Sequence, residues 1–203
     1  LVLVRLRLSL ILPSPLACNT SRSLRISHPQ SLNPTNMSLC RQNFSAAAEE
    51  GINAQINAEL TASYAYLAMA AYFERDDVAL PGFHKFFKSM SDEERDHAQE
   101  FIEYQHKRGG RVHLAPIAAP KQQWSSALEA LEDALAMEKA VNEQLLRLHK
   151  VAADNNDPQF TDFLEGEFLK EQVDSEKQLA DYITQIKRAG EGLGVYLFDK
   201  NLQ

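Results

Sequence analysis

Two residues able to bind a metal or move a proton, Glu94 and His97, stand three positions apart near the middle of the chain. On an α-helix, residues at this spacing lie on one face. Apolar residues recur at helical spacing around them and make that face the buried one: Phe83, Phe86, Phe87, Met90, Phe101 and Tyr104. A carboxylate on a buried face is unfavourable unless it is paired, hydrogen-bonded or bound to a cation.

Polar residues also interrupt three other apolar helical stripes. They are Glu59, Glu138 and Gln172, each near the middle of its predicted helix, so that all of them could meet at one depth in the core. A single such Glu usually lies at the margin of its stripe with its carboxylate in water, and a single buried His is usually a hydrogen-bonded structural residue. Three carboxylates together, however, cannot share a low-dielectric core as bare anions.

One or two divalent or trivalent cations would relieve this repulsion. Carboxylates and an imidazole without a thiolate suit iron, manganese or zinc better than copper(I). The set resembles the ligand pattern of ferritin-like di-iron bundles, Glu on two helices and Glu-x-x-His on the other two, although Glu-x-x-His occurs only once here. The resemblance implies one metal position with Glu59, Glu94 and His97, and a second with Glu138, a shared Glu94 and the neutral Gln172. Because the second position has weaker ligands, we expect it to hold its ion loosely and to let metal pass through.

Hydrophobic periodicity predicts four helices that carry these residues, at about 46–75, 81–107, 125–154 and 158–189. In the first helix, Ile52, Ile56, Leu67 and Ala70 mark the predicted buried face, on which the small Ser63 also falls. Pro81 and Pro158 suit the first turn of the second and fourth helices.

The links between the helices predict how the helices are arranged. Residues 111–123 contain two prolines and no periodic pattern, which indicates an extended crossover rather than a tight turn. Short links make the first and second helices antiparallel, and likewise the third and fourth, whereas the crossover makes the second and third parallel. The sequence therefore predicts an all-α fold: a four-helix bundle with one long crossover and a short fifth helix near 195–198.

Charge is unevenly distributed along the 203 residues, whose formal net charge is −7. The first 48 residues contain five Arg and no acidic residue, so all 28 Asp and Glu lie in the remainder. An acidic body argues against nucleic acid as a partner and is compatible with cations. Both cysteines, Cys18 and Cys40, precede the helical region, which therefore has no thiolate chemistry.

Residues 1–40 are interpreted as an N-terminal extension outside the fold, and residues 41–203 as the bundle domain. The apolar residues 1–16 are too short and too interrupted by Pro13 and Pro15 to span a membrane. The extension could be a secretory signal cleaved near Ala17, a mitochondrial transit segment, or upstream sequence preceding a start at Met37. The last interpretation is favoured and predicts a cytoplasmic protein; the other two predict secretion or mitochondrial import.

The motifs from residue 41 onward resemble those of the H-type (heavy-chain) ferritins, in order and over nearly all of residues 41–200. The matching stretches are 41–44 (RQNF), 56–60 (INAEL), 62–67 (ASYAYL), 75–80 (RDDVAL), 93–98 (EERDHA), 108–111 (RGGR), 148–150 (LHK), 156–158 (NDP), 171–173 (EQV) and 196–200 (YLFDK). The resemblance implies a ferritin-like bundle that oxidises Fe(II) with dioxygen at an internal di-iron centre. It further implies storage of ferric mineral in a hollow shell of twenty-four subunits, alone or mixed with other ferritin subunits.

The resemblance also assigns roles to individual residues. It implies ferroxidase ligands at Glu59, Glu94, His97 and Glu138, accessory positions at Glu93 and Gln172, and a tyrosine beside the centre at Tyr66. Ferritin light chains lack several of these ligands, so their presence here favours an active oxidase subunit.

Other residues that resemble ferritin positions serve iron entry and mineral growth. Asp162 and Glu165 correspond to acids that line the three-fold pores, although an acidic pair near a helix start is also favoured by the helix dipole. Glu93 and Asp96 correspond to the cavity-facing nucleation cluster, but Gln99 replaces its next acid, which predicts weaker nucleation. The short tail after Lys200 predicts a short fifth helix and an altered four-fold channel.

Two further functions are compatible with parts of this pattern. A shell subunit with a silent centre would assemble and contribute mineral space, but the intact ligand set argues against it. A small di-iron oxidase acting on an organic substrate is disfavoured by the single Glu-x-x-His motif and by the resemblance to cage-forming proteins.

Overall fold

The computed structural model describes residues 38–202, and all regular elements in this part of the chain are helical. They are α1 (Ala46–Glu74), α2 (Pro81–Lys107), α3 (Ala127–Asp154), α4 (Pro158–Phe163), a π-helical segment (Leu164–Leu169), α5 (Lys170–Ala189) and α6 (Leu193–Asn201). The three interpretations of the N-terminal extension, and the proposed start at Met37, concern residues that lie outside this range. None of the described helices combines the length and the apolar character that crossing a bilayer requires.

Side-chain caps fix the starts of three helices. The Ser45 hydroxyl accepts a hydrogen bond from the backbone N–H of Ala48 at the start of α1. Ser126 does the same for Glu129 at the start of α3, as its capping-box spacing predicts. Asp157 caps α4 by accepting from the N–H of Phe160.

Contacts between the helices confirm the predicted arrangement. Phe73 of α1 stacks on Phe83 of α2, whereas Gln105 at the far end of α2 donates to the backbone of Glu49 near the start of α1, so these helices are antiparallel. On the other side of the bundle, α3 and α5 are antiparallel in the same way. Lys187 pairs with Glu132 near one end of these two helices, and Asn142 and Glu176 are hydrogen-bonded further along.

The fourth helix contains a feature that the sequence analysis did not predict. Six residues, Leu164–Leu169, form a π-helical turn between α4 and α5. A π turn takes up more residues than an α turn, and such turns are frequent at functional sites. The turn buries Leu164 and Phe168 and is followed by the buried Gln172 in the first turn of α5.

The prediction that Leu67 faces the core is wrong, since this side chain is 44% exposed. Tyr66 is fully buried instead, seven positions after the buried Glu59, and Met69 and Ala70 continue the same face. Because successive residues on a helix differ by about 100° in direction, a core-facing Tyr66 directs Leu67 outwards.

Ser63 has a structural role beyond being tolerated at the interface. Its hydroxyl donates to the backbone carbonyl of Ser91 on α2 at 2.6 Å, and the Ser91 hydroxyl donates to the carbonyl of Ser63 at 2.8 Å. These reciprocal bonds join the two helices at a point one turn from Glu59 and one turn from Glu94.

The apolar interior consists of two clusters. One surrounds Tyr66, Phe73, Phe83, Phe87, Leu131 and Phe198. The other surrounds Ile52, Ile56, Phe101, Leu145, Phe160 and Phe168. The predicted site residues are on the stretches of the four long helices between these clusters, so that the middle of the bundle is a polar layer.

Candidate metal centre

Each of the four long helices of the bundle contributes to the polar layer, as the sequence predicts; the fourth consists of α4, the π-helical segment and α5. Glu59 comes from α1, Glu94 and His97 from α2, Glu138 from α3 and Gln172 from α5. Their exposed fractions are 1% for Glu59, 4% for Glu94, 1% for Glu138 and 7% for Gln172. The alternative considered for a single Glu, at the margin of its stripe with its carboxylate in water, therefore applies to none of the three.

Glu94 occupies the middle of this group. Burial raises the pKa of Glu59 well above its usual value, and the neighbouring Glu94 carboxylate raises it further. The same two causes, in the same order, raise the pKa of Glu138 to about 7. Glu94 therefore lies close enough to affect the carboxyls of both α1 and α3, which is the arrangement expected of a ligand shared by two metal positions.

Each of the outer carboxylates has one oxygen held by a neutral donor. The Gln55 amide donates to Oε1 of Glu59 at 2.8 Å, whereas Oε2 of Glu59 is buried and has no hydrogen-bond partner among the described residues. The Tyr66 hydroxyl donates to Oε1 of Glu138. Gln172 donates at 2.9 Å to the backbone carbonyl of Glu138.

His97 lies between two carboxylates. Its Nδ1 is 3.2 Å from Oε2 of Glu94, and its Nε2 is 3.3 Å from Oε1 of Glu171. Burial alone would lower the pKa of His97, but Glu94, Glu171 and the more distant Glu59 outweigh it and raise the pKa to about 9. The imidazole is therefore a cation at neutral pH in this arrangement, and it must lose a proton before Nδ1 can bind a metal.

The donor set fits a hard or borderline cation. Three buried carboxylates, of which Glu59 and Glu138 have pKa values raised by burial and then by the neighbouring Glu94 carboxylate, together with one unpartnered oxygen on Glu59, form a group that a positive ion would stabilise. Across residues 38–202, however, no three carboxylate, imidazole or thiolate groups are already closed around one point as metal ligands. In this arrangement the side chains bond to one another, so binding an ion requires them to exchange those partners.

The accessory residues lie at the edge of the polar layer or outside it. Glu93 is exposed as a whole residue, but its carboxyl is partly shielded from water. This shielding is the larger cause that raises the pKa of Glu93, and the neighbouring Glu171 carboxylate is the next. Asp96 and Gln99 are also exposed, and Gln99 donates to Glu103 one turn later. All three share α2 with Glu94, and Glu93 lies close enough to Glu171 and His97 to interact with both.

The predicted pore residues form a separate group. Asp162 and Glu165 are exposed near the start of the fourth helix of the bundle, and Glu165 bonds to Nε2 of His149 at 2.7 Å. The structure does not bring them to the polar layer, and their role in a pore stays a prediction.

Sequence reasoning missed two residues of the site, Glu171 and Gln55. Glu171 directly precedes Gln172 on the fourth helix and contacts His97 from the rim of the polar layer. Gln55 is buried one helical turn before Glu59, and this i, i+4 spacing on a core face was the signal that could have identified it.

A family model described as a ferritin-like domain matches residues 49–189. The chain is 58% identical to the soma ferritin of Lymnaea stagnalis and 59% identical to a ferritin heavy chain of Echinococcus granulosus, in both cases over 165 residues that make up 81% of this chain and 95% of the relative. It is also 52% identical over 173 residues to a chloroplastic ferritin of Brassica napus, covering 83% of this chain and 68% of that protein.

Proposed function

The chain belongs to the ferritin family as an iron-storing, heavy-chain-type ferroxidase subunit, and we propose that Glu59, Glu94, His97 and Glu138 are the residues that bind Fe(II) for oxidation. The observation that carries this proposal is the position of Glu94, which acts on the carboxyls of both Glu59 and Glu138 and contacts His97. One shared carboxylate between two outer carboxylates suits a pair of Fe(II) ions.

The first iron position is formed by Glu59, Glu94 and His97. His97 must release a proton before it can bind iron, because only the neutral imidazole is a ligand. In the metal-free arrangement its Nδ1 faces Oε2 of Glu94. Glu171 remains at Nε2 of the ring and accepts from it, which fixes the orientation of the imidazole.

The second iron position is formed by Glu138 and the shared Glu94, with Gln172 nearby. With a pKa of about 7, Glu138 is partly protonated at neutral pH, so an arriving cation displaces a proton. The Tyr66 hydroxyl keeps Oε1 of Glu138 fixed through this exchange. Because the amide of Gln172 is neutral and already bonded to the backbone, this position binds its ion more weakly than the first, which favours passage of oxidised iron.

Iron is the substrate here, and dioxygen accepts its electrons as Fe(II) becomes Fe(III). The chain's own residues bring two ions together, neutralise their charge, accept or release protons and keep bulk water out of a layer closed on both sides by apolar clusters. These roles of the protein residues are the ones expected at a site where the metal supplies the redox chemistry.

The chain forms part of a multimeric iron-storage shell, as ferritins do, and we propose that this shell contains twenty-four subunits. In such a shell, Asp162 and Glu165 are assigned to iron entry, and Glu93 and Asp96 to mineral nucleation. Their exposure on the single subunit supports these roles. Replacement of the next nucleation acid by Gln99 is expected to slow the first stage of mineral growth.

We also propose that the working protein begins near Met37 and acts in the cytoplasm. The relatives include both an animal soma ferritin and chloroplastic plant ferritins, so the family occupies more than one compartment. N-terminal sequencing of the native protein tests this proposal, since a mature start well before Met37 would contradict it.

Aerobic oxidation of Fe(II) by the assembled protein tests the assignment of the site. We expect wild type to oxidise iron well above the buffer rate, and Glu94→Ala and His97→Ala to lose most of that excess. Glu103→Ala removes an exposed carboxylate from the same helix and serves as the matched control, which should behave as wild type. If wild type and both site variants oxidise iron only at the uncatalysed rate, the assignment is wrong.

A further inference from the structure

We propose that Gln55 is a positioning residue of the iron centre, which holds one oxygen of Glu59 and so presents the other oxygen to the metal. This inference rests on the proposed function of Glu59. Gln55 lies one helical turn before Glu59, is 1% exposed, and its Nε2 donates to Oε1 of Glu59 at 2.8 Å.

The two oxygens of Glu59 have different surroundings, and this difference carries the argument. Oε1 is satisfied by the Gln55 amide, whereas Oε2 is buried and has no hydrogen-bond partner in the described part of the chain. A buried carboxylate oxygen without a donor is costly, and a cation is one of the few groups that offsets that cost. Glu59 is therefore arranged to bind metal through Oε2 alone.

The bond also restricts rotation of the carboxylate. The terminal torsion of Glu is broad and roughly two-fold, so an unheld carboxylate samples many orientations. By fixing Oε1, Gln55 selects the orientation in which Oε2 is available and reduces the ordering required when the metal arrives.

A neutral donor is the appropriate choice at this position. Lys or Arg would add a positive charge that repels the ion, and Asp or Glu would add a further buried anion. Glu138 is held in the same manner, because the neutral Tyr66 hydroxyl donates to its Oε1. In both outer carboxylates, therefore, Oε1 accepts a hydrogen bond from a neutral donor: Gln55 at the first metal position and Tyr66 at the second.

Cobalt(II) titration of the assembled protein separates positioning from general stability. Cobalt reports the ligand field through its visible absorption and does not consume dioxygen as Fe(II) does. Gln55→Met removes the donor at similar volume. The matched control is Gln105→Met, which removes another fully buried Gln whose amide donates to the backbone of Glu49 and Arg111, far from the polar layer.

We expect Gln55→Met to bind its first Co(II) about tenfold more weakly than wild type and to oxidise Fe(II) about tenfold more slowly, since partners of metal ligands commonly have effects of this size. The absorption of the first bound cobalt should also change in shape. Gln105→Met should lower the melting temperature while keeping the wild-type cobalt isotherm and spectrum.

A wild-type isotherm and oxidation rate in Gln55→Met would overturn the inference. If that variant does not fold, Gln55→Asn provides the comparison, because its amide is one methylene too short to reach Oε1 and the same tenfold weakening is expected. The outcome also separates this inference from the proposed function. Wild type that fails to oxidise iron refutes the function, whereas active wild type matched by both Gln55 variants refutes only the role of Gln55.

Discussion

The hydroxyl of Tyr66 on α1 donates a hydrogen bond to Oε1 of Glu138 on α3, and both side chains are buried in the middle of the bundle. This bond favours the charged form of Glu138 and opposes the effect of burial on its pKa. In the proposed centre, Tyr66 is therefore expected to affect the second iron position without being a ligand.

Replacing Tyr66 by Phe should slow Fe(II) oxidation by about tenfold at neutral pH, because a hydrogen bond to a charged group is lost. The pKa of Glu138 should rise further, so the rate should recover as pH increases. Stopped-flow oxidation across a pH series measures both effects. Tyr104→Phe, which removes a buried hydroxyl bonded to Gln159, is the control and should leave the pH profile unchanged.

Substitutions of Glu94 and of Glu138 should differ in how many iron positions they weaken. Glu94→Gln should weaken both iron positions, since Glu94 adjoins both outer carboxyls, whereas Glu138→Gln should weaken mainly the second. Anaerobic titration with Fe(II) or cobalt(II) counts the ions bound per subunit. Equal losses in the two variants would contradict the shared position of Glu94.

Stability of the metal-free protein should decrease as pH rises. The pKa of Glu138 is raised from 4.5 to about 7, so the neutral form stabilises the fold below about pH 4.5 and this contribution is lost as pH rises through 7. The raised pKa of Glu59 acts in the same direction. His97, with its pKa raised to about 9, stabilises the fold below about pH 6.5 and loses this contribution as pH rises through 9.

For Glu138 alone, the pKa shift corresponds to a loss on the order of 3 kcal/mol. Chemical unfolding at about pH 4.5 and about pH 9 should show this decrease, and a divalent cation should reverse much of it at the higher pH. The double variant Glu59→Gln and Glu138→Gln should be less sensitive to pH. A metal-free protein equally stable at both pH values would show that these carboxyls are not buried together.

The reciprocal bonds between Ser63 and Ser91 should be energetically coupled. Each Ser→Ala change removes one donated bond, worth about 1 kcal/mol, and leaves a buried carbonyl with fewer partners. A double-mutant cycle on the free energy of unfolding measures the coupling. Strict additivity of the two substitutions would mean that the serines act separately.

Gly82→Ala should displace the C-terminal helix. A Cβ at Gly82 would fall inside contact distance of the backbone carbonyl of Asp199, whose side chain also accepts from the N–H groups of Gly82 and Phe83 at the start of α2. We expect a lower melting temperature and faster proteolysis of α6. Gly166→Ala is the control, because nothing lies within 4 Å of its added Cβ, and it should be neutral or stabilising.

Much of this molecule could be predicted from patterns local to each helix. Recurrence of apolar residues at helical spacing predicted the four long helices. The break around Pro158 was predicted from the proline and from the Asp157 cap. The candidate ligands Glu59, Glu94 and Glu138 were identified for a related reason. A carboxylate on an apolar stripe conflicts with its surroundings, and such conflicts mark functional positions.

The features that escaped prediction depend on geometry between elements. The π turn takes up more residues than an α turn, so α-helical periodicity does not give the directions of the side chains that follow it; there, Glu171 contacts His97 from the rim and Gln172 is buried. Assignment of Leu67 to the core failed because periodicity places a face only to within one residue. The role of Gln55 depends on which oxygen of Glu59 it meets, and no sequence pattern carries that information.

The separation of the interior into two apolar clusters affects how ions can enter and leave the subunit. Packed aromatic and aliphatic residues lie above and below the carboxylates, so each half of the bundle keeps its own close-packed interior whether or not an ion is bound. Ions can therefore enter, exchange and leave through side-chain rotations within the central layer. Repeated turnover at the proposed centre is then expected to require side-chain rotations in this layer and not separation of the helices.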